Sequence, residues 1–176
     1  LKKVPQILDG HPSIWSAVYR RDFLKENNIS FEEVKGAGWV DNPFFFETLC
    51  KAQRIQWINQ PLYYYRKSNQ ESSSKKIVNP VMPFERMMDI LDVLERNHCT
   101  EEEIIRRAYG RGIVYLRGAL EECDYAKNYD IINEYARKLM QRLDSSIMQS
   151  DFNLHDQYTW IDYASPIKAI QQKQPK

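Results

Sequence analysis

Gly38-Trp39-Val40-Asp41-Asn42-Pro43-Phe44-Phe45 is the stretch on which the reading of the fold turns. Its leading glycine supplies the backbone freedom of a tight turn. Asparagine is a good helix cap, and proline suits the first helical turn because its missing N–H has no partner there in any case. In this order the signals predict a helix from about Asn42 through Phe46, Leu49 and Cys50 to about Gln53. Asp41 then stands at the helix mouth, behind the turn and beside the Trp39 indole. A carboxylate held in that way has a fixed direction, which suits a general base. The same place suits a plain helix cap, and spacing alone leaves both readings open.

Toward the N-terminus, Pro12 followed by Ile14, Trp15, Val18, Tyr19 and Phe23 at helical spacing predicts a helix that Asn27-Asn28 ends. Gly36 and Gly38 bracket the turn before Trp39. Toward the C-terminus, Ile55 and Trp57 alternate with Gln56 and Ile58 as a weak strand pattern. Pro61 interrupts it, and residues 62–66 resume an extended aromatic run. Residues 68–76 are polar without apolar anchors and are expected to form an exposed, mobile loop. Beyond residue 79 the pattern is almost wholly helical. Residues 83–97 carry Phe84, Met87, Met88, Leu91 and Leu94 on one face. Thr100 with Glu103 reads as a capping box opening a helix through Ile104, Ala108, Ile113, Leu116 and Leu120 to about Cys123. Gly110, Gly112 and Gly118 weaken that helix intrinsically and permit close packing. A further helix is expected over residues 129–143, a short last one from Ser165-Pro166, and a frayed tail at 171–176. The expected fold class is therefore mainly α with a small β component (α+β), organised as residues 1–78 and a helical region, 79–176.

A length of 176 residues suits one domain, or a small one with an appendage, and can bury a real core. The leading residue is leucine, which reads as a trimmed or processed chain. A net charge of +1 from 25 basic and 24 acidic residues offers no single-sign field to hold nucleic acid. The apolar runs fall far short of the roughly 18 residues that cross a bilayer. Cys50, Cys99 and Cys123 are widely spaced and form no CxxC pair, so they read as reduced, mostly buried small hydrophobes in an intracellular setting. Eleven tyrosines and four tryptophans are many for this length, and such residues often line sites for sugars and other amphipathic ligands.

Four blocks carry a resemblance. His11-Pro12-Ser13-Ile14-Trp15-Ser16-Ala17-Val18-Tyr19-Arg20-Arg21-Asp22-Phe23-Leu24 looks like the acceptor-side helix of bacterial inverting family 2 glycosyltransferases of GT-A fold. Asn27-Asn28-Ile29-Ser30-Phe31 is similar to the segment that follows it. Trp39-Val40-Asp41-Asn42-Pro43-Phe44 falls where that family keeps a Glu-Asp-x-x-Phe motif, with Val40 in place of the glutamate. Ala52, Ile55, Pro61-Leu62-Tyr63-Tyr64-Tyr65-Arg66 and Ser72-Ser73 resemble its closing pattern. The blocks stand in the family's order over about the first 74 residues. The family's donor-binding half, with its Asp-x-Asp motif, has no counterpart in this sequence.

The resemblance implies the acceptor-side part of a nucleotide-sugar-dependent enzyme, inactive alone, that transfers a hexose-type sugar with inversion to a polysaccharide or glycolipid acceptor. Asp41 is its expected base. Trp39 either packs on a sugar face or holds the turn, and Trp15 either faces the acceptor or joins the core. Arg66 and Arg20 are candidates for diphosphate or an acidic acceptor, with Arg66 the better placed at the end of an aromatic run. His11 is either a phosphate or metal neighbour or a cap. No metal ligands are expected in this chain. A nucleotide-sugar and a divalent metal (Mn or Mg) belong, on this reading, to the full-length enzyme. The expected setting is bacterial cell-envelope polysaccharide synthesis in the cytoplasm, at the inner face of the plasma membrane. The helical region would then pack against the base of the cleft, contact the membrane surface or form homo-oligomers, and no nucleic acid partner is expected. The alternative from another class is a non-enzymatic helical interaction module carrying a degenerate transferase remnant.

Overall fold

The computed structural model describes residues 1–34, 38–66, 68, 79–122 and 125–150. Among these, six α-helices follow two short 3-10 turns at Pro5–Asp9 and Ile14–Ser16: α1 (Arg21–Glu26), α2 (Asp41–Lys51), α3 (Met82–Arg96), α4 (Glu102–Glu122), α5 (Tyr125–Met140) and α6 (Ser145–Ser150). The protein is mainly helical. Most of the loop expected at 68–76 and all of the chain beyond Ser150, including Ser165-Pro166, lie outside the described residues, as do Ser72 and Ser73.

Helix α3 is the centre of the packing. Phe84, Met87 and Leu91 on one side of it meet Tyr109 of α4 and Ile132, Ala136 and Leu139 of α5. Ile90, Val93 and Leu94 on another side meet Phe46 and Leu49 of α2, Ile104 and Ala108 of α4, and Leu8 of the first 3-10 turn. The predicted stripe covers the first side, except that its Leu94 belongs to the second. Ile90 and Val93 are fully buried as well, so α3 is enclosed on two sides rather than lying on a surface with one apolar stripe. One core thus joins residues before 78 with residues after 79. At Gly112 of α4 a β-carbon would come within 1.9 Å of the Met87 sulfur, so the Met87 side chain of α3 packs directly on this glycine.

Two helix ends follow one rule. After α3, the amide of His98 donates to the Glu95 carbonyl (3.0 Å) and that of Cys99 to Leu94 (2.9 Å), with His98 at φ 52°. After α1, the amide of Asn28 donates to Lys25 (3.2 Å) and that of Ile29 to Leu24 (2.8 Å), with Asn28 at φ 54°. Both are Schellman ends, in which a left-handed residue turns the chain so that two late amides satisfy the last carbonyls. Asn27-Asn28 does end its helix. The helix itself is shorter than Pro12 suggested. Ser16 donates its hydroxyl to the Ser13 carbonyl (2.6 Å), Ala17 is extended, and α1 begins only at Arg21. Serine hydroxyls that satisfy nearby backbone compete with the helical ladder.

Residues 55–59 and 62–66 form no strand, and no strand occurs among the described residues, so the small β component expected there is absent from them. A strand needs a neighbouring strand to take up its N–H and C=O groups, and the described residues provide none. Helix α4 begins one residue later than the Thr100 capping box implied, since the amides of Ile104 and Ile105 both donate to the Glu101 carbonyl. The expected start of the next helix, near residue 129, lies inside α5, which opens at Tyr125. Asp144 holds the start of α6, its carboxylate accepting from the amides of Ser146 (2.8 Å) and Ile147 (3.3 Å).

A buried carboxylate of α2 is tied to the end of α3. The Glu47 carboxylate, 8% exposed, accepts from the Arg96 guanidinium (2.7 Å from Nε) and from Asn97 Nδ2 (3.1 Å). Lys51 lies 3.5 Å away. Arg86 of α3 is also buried and pairs with Asp89 (2.9 Å) and Glu32 (3.4 Å). Burial outweighs the attraction of Arg86 and, with Glu32, Asp92 and Glu85 adding repulsion, raises the Asp89 carboxyl to about 6.

Two outcomes are expected. Glu47→Ala removes an acceptor for Arg96, Asn97 and Lys51 at once. Because Arg96 is 55% exposed and can turn to water, the loss in urea unfolding is expected at about 1–3 kcal/mol, below the figure for a fully buried pair. For Asp89 the folded value lies above the ordinary carboxylate value. Its stabilising contribution is therefore complete below about pH 4 and is lost as pH rises through about 6. The urea midpoint should be higher at pH 5 than at pH 7.5, and Asp89→Asn should reduce that difference. An unchanged difference would contradict the assignment.

Candidate active site

Asp41 is delivered by a strained turn. Gly38 (φ 30°) and Trp39 (φ 58°) both occupy the left-handed region. Glycine enters it without penalty, whereas a bulky residue there costs on the order of 1–3 kcal/mol and is held only by its surroundings. The holding group is Asn42. Its backbone amide (3.1 Å) and its side-chain Nδ2 (3.2 Å) both donate to the Trp39 carbonyl, and the same Nδ2 reaches Asp41 Oδ1 at 3.3 Å. Asn42 is buried and lies inside the helix, so it braces the turn from the first helical turn instead of capping from outside. Val40 precedes the helix without a capping side chain, and Asp41 is its first residue.

The Asp41 carboxyl is half-buried, and that burial raises its pKa. Opposing pulls come from His11, from the backbone amides of Asp41 and Asn42, and from Arg111, and together they fall short of the burial effect. Arg111 projects from α4. Its guanidinium donates to the Leu8 and Gly10 carbonyls and lies 5.4 Å from the centre of the Phe45 ring. It thus fastens the turn just before His11 to the helix pair that carries Asp41. Arg107 of the same helix pairs with Asp9 and strengthens that fastening.

On the other side of His11 stands an aromatic stack. Trp15 lies flat against Tyr65, with ring centres 4.8 Å apart and planes 13° from parallel, and against Tyr63 at 5.6 Å and 24°. The His11 ring is 6.4 Å from that of Trp15. Trp15 keeps 38% of its surface exposed, Tyr63 57% and Tyr65 44%, so the stack is an open face and not core.

The structure therefore sets the His11 ring beside Trp15, and His11 is among the groups that pull the Asp41 pKa down against its burial. Trp39 adjoins Asp41 in the strained turn and is half-buried. Arg66 is exposed, next in the chain to Tyr65. Arg20 is exposed at the residue before α1, outside these contacts. Sequence reading missed Arg111, Tyr63 and Tyr65 as site residues. Arg111 lies 70 residues beyond Asp41 on another helix, and no local pattern pairs the two. The aromatic run that holds both tyrosines was visible, but its fold onto Trp15 was not.

Among the described residues no three His, Cys, Asp or Glu side chains gather as a metal site. A cavity of about 530 Å³ is lined by Arg21, Leu24, Lys25, Asn28, Ile29 and Ser30, and includes none of the residues around Asp41. Comparison with family models, with curated proteins and with solved structures returned no match.

Followed by carboxyl-resolved NMR, Asp41 should titrate above the ordinary aspartate value. His11→Ala, which removes the first of the opposing pulls, should move the midpoint higher still, and Arg111→Ala should move it in the same direction. A midpoint unmoved by either substitution would show that these cations do not sense the carboxylate.

Proposed function

We propose that this chain is the acceptor-side part of an inverting, nucleotide-sugar-dependent glycosyltransferase of the family 2, GT-A type, in which Asp41 is the general base. The observation that carries the reading is the strained Gly38-Trp39 turn, which aims a half-buried carboxylate from the start of α2. Structural strain of this kind gathers where a side chain must be held in one direction. Burial also makes Asp41 more basic than a solvated aspartate, which suits proton abstraction from an alcohol near neutral pH.

On this reading the acceptor hydroxyl donates its proton to an Asp41 oxygen as its own oxygen attacks the anomeric carbon. The bond to the nucleoside diphosphate breaks on the opposite face, and the sugar inverts. The open face of Trp15, Tyr63 and Tyr65 offers flat, amphipathic surface for a sugar ring of the acceptor. The nucleotide-sugar and any divalent cation belong to a donor-binding half of the parent protein.

A second feature favours a larger parent. Ile55, Trp57, Ile58, Leu62 and Tyr64 are each at least half exposed along residues 52–66, a stretch with no helix or strand. An apolar row of that length is costly in water, and a covering layer in the parent would remove the cost. No helix among the described residues is long and apolar enough to cross a membrane. We place the parent enzyme at the cytoplasmic face of a bacterial plasma membrane, in the synthesis of a surface polysaccharide or glycolipid. The helical region after residue 79 is then available for membrane-surface contact or homo-oligomer formation.

The test is Asp41→Asn in the parent enzyme with its donor sugar. Turnover should fall on the order of 10²–10⁴-fold while donor and acceptor binding persist. Unchanged turnover would reduce Asp41 to a helix-start residue and leave a helical interaction module as the better description.

A further inference from the structure

We propose that Cys50 and Cys99 form a dithiol site that a small-molecule disulfide, such as oxidised glutathione, converts to an intramolecular disulfide joining the end of α2 to the end of α3. Their sulfur atoms lie 3.4 Å apart, although 49 residues separate them in sequence. Both thiols are free and half-buried, so a small reagent can reach them. Closing the pair to a bonded distance of about 2.05 Å asks for a movement of little more than 1 Å.

The approach is built by the backbone on both sides. Cys50 sits in the last turn of α2, whose register is held by Phe46 and Leu49 in the core and by Glu47 against Arg96 and Asn97. Cys99 directly follows the left-handed His98 at the end of α3. Its amide is tied to the Leu94 carbonyl (2.9 Å), and Leu94 is in the same core. Both cysteines pack against that core's edge. The meeting of the two sulfurs thus follows from two fixed helix ends and is not left to the choice of a surface side chain.

The step balances as thiol–disulfide exchange. The Cys50 thiol is held protonated by burial and by the nearby Cys99 and Glu47, so the first attack falls to Cys99. Its thiolate attacks one sulfur of the reagent and expels one glutathione thiolate, leaving a mixed disulfide on Cys99. Cys50 then gives its proton to solvent, attacks the Cys99 sulfur and expels the second glutathione. Two protein thiols are oxidised to one disulfide, and one glutathione disulfide is reduced to two thiols. The product ties a long loop, which includes the exposed residues 52–66 and all of α3, at its two ends.

The full chain, incubated folded with oxidised glutathione, should lose two of its three thiols. Peptide mapping should show Cys50 linked to Cys99 within one molecule, and a reductant should restore both. The oxidised form should melt about 5–10 °C higher than the reduced form, because the link removes disorder from the unfolded chain. Cys123→Ala should leave the link intact, whereas Cys50→Ala should stop at the mixed disulfide on Cys99. The map on the unaltered chain decides the matter even if a variant folds poorly. Linkage through Cys123, disulfide-bonded dimers, or a product carrying glutathione alone would each overturn the proposal.

Discussion

The double burial of α3 is the constraint from which the other arrangements follow. A helix with apolar side chains on two sides must have a layer against each, and here α2 with the first 3-10 turn supplies one, α5 the other, and α4 a share of both. Because α4 serves both clusters it must approach α3 closely, and Gly112, where any side chain would strike Met87, marks that approach. The same approach carries Arg111 to the Leu8–Gly10 backbone and to the Phe45 ring. The surroundings of Asp41 are therefore a consequence of core packing on the far side of the helices.

Apolar burial alone would allow α2 to slide along α3. Glu47 limits that freedom, because a carboxylate removed from water must find its partners, and Arg96 and Asn97 stand at only one place. Nearer the start of α3, the buried Arg86 ties that helix to Glu32 in the segment after α1, and the Asp89 carboxyl beside it is raised to about 6 despite its cation. Buried ion pairs often add little net stability while fixing a single arrangement. That fixing matters for α2, whose first residue is the proposed base and whose last turn holds Cys50.

Function on this reading depends on a contrast within the first 66 residues. The Gly38-Trp39 turn is strained yet braced by a buried asparagine, so the carboxylate has a defined direction. The irregular chain at 52–66 is largely exposed, and Tyr63 and Tyr65 of it stack on Trp15. On the proposed function the Asp41 carboxylate would serve as base and the open aromatic face would receive a sugar ring, while the exposed apolar residues of 52–66 would meet a further layer of protein.

Sequence by itself determined the helices with strong local signals. Asn42-Pro43 marked the beginning of α2, Phe84 to Leu94 the stripe of α3, and Asn27-Asn28 the end of α1, because capping and 3.6-residue periodicity act over only a few residues. It misjudged the stretch after Pro12, where serine hydroxyls outcompeted the helical ladder, and the aromatic runs at 55–66, where strand-like alternation met no partner strand. Only the tertiary structure decided that Ile90 and Val93 are as buried as the predicted stripe, that Arg111 reaches the neighbourhood of Asp41, and that Cys50 meets Cys99. Each of those facts joins residues far apart in the chain. Their physical cause is the closing of several helices around α3, which no window of neighbouring residues records.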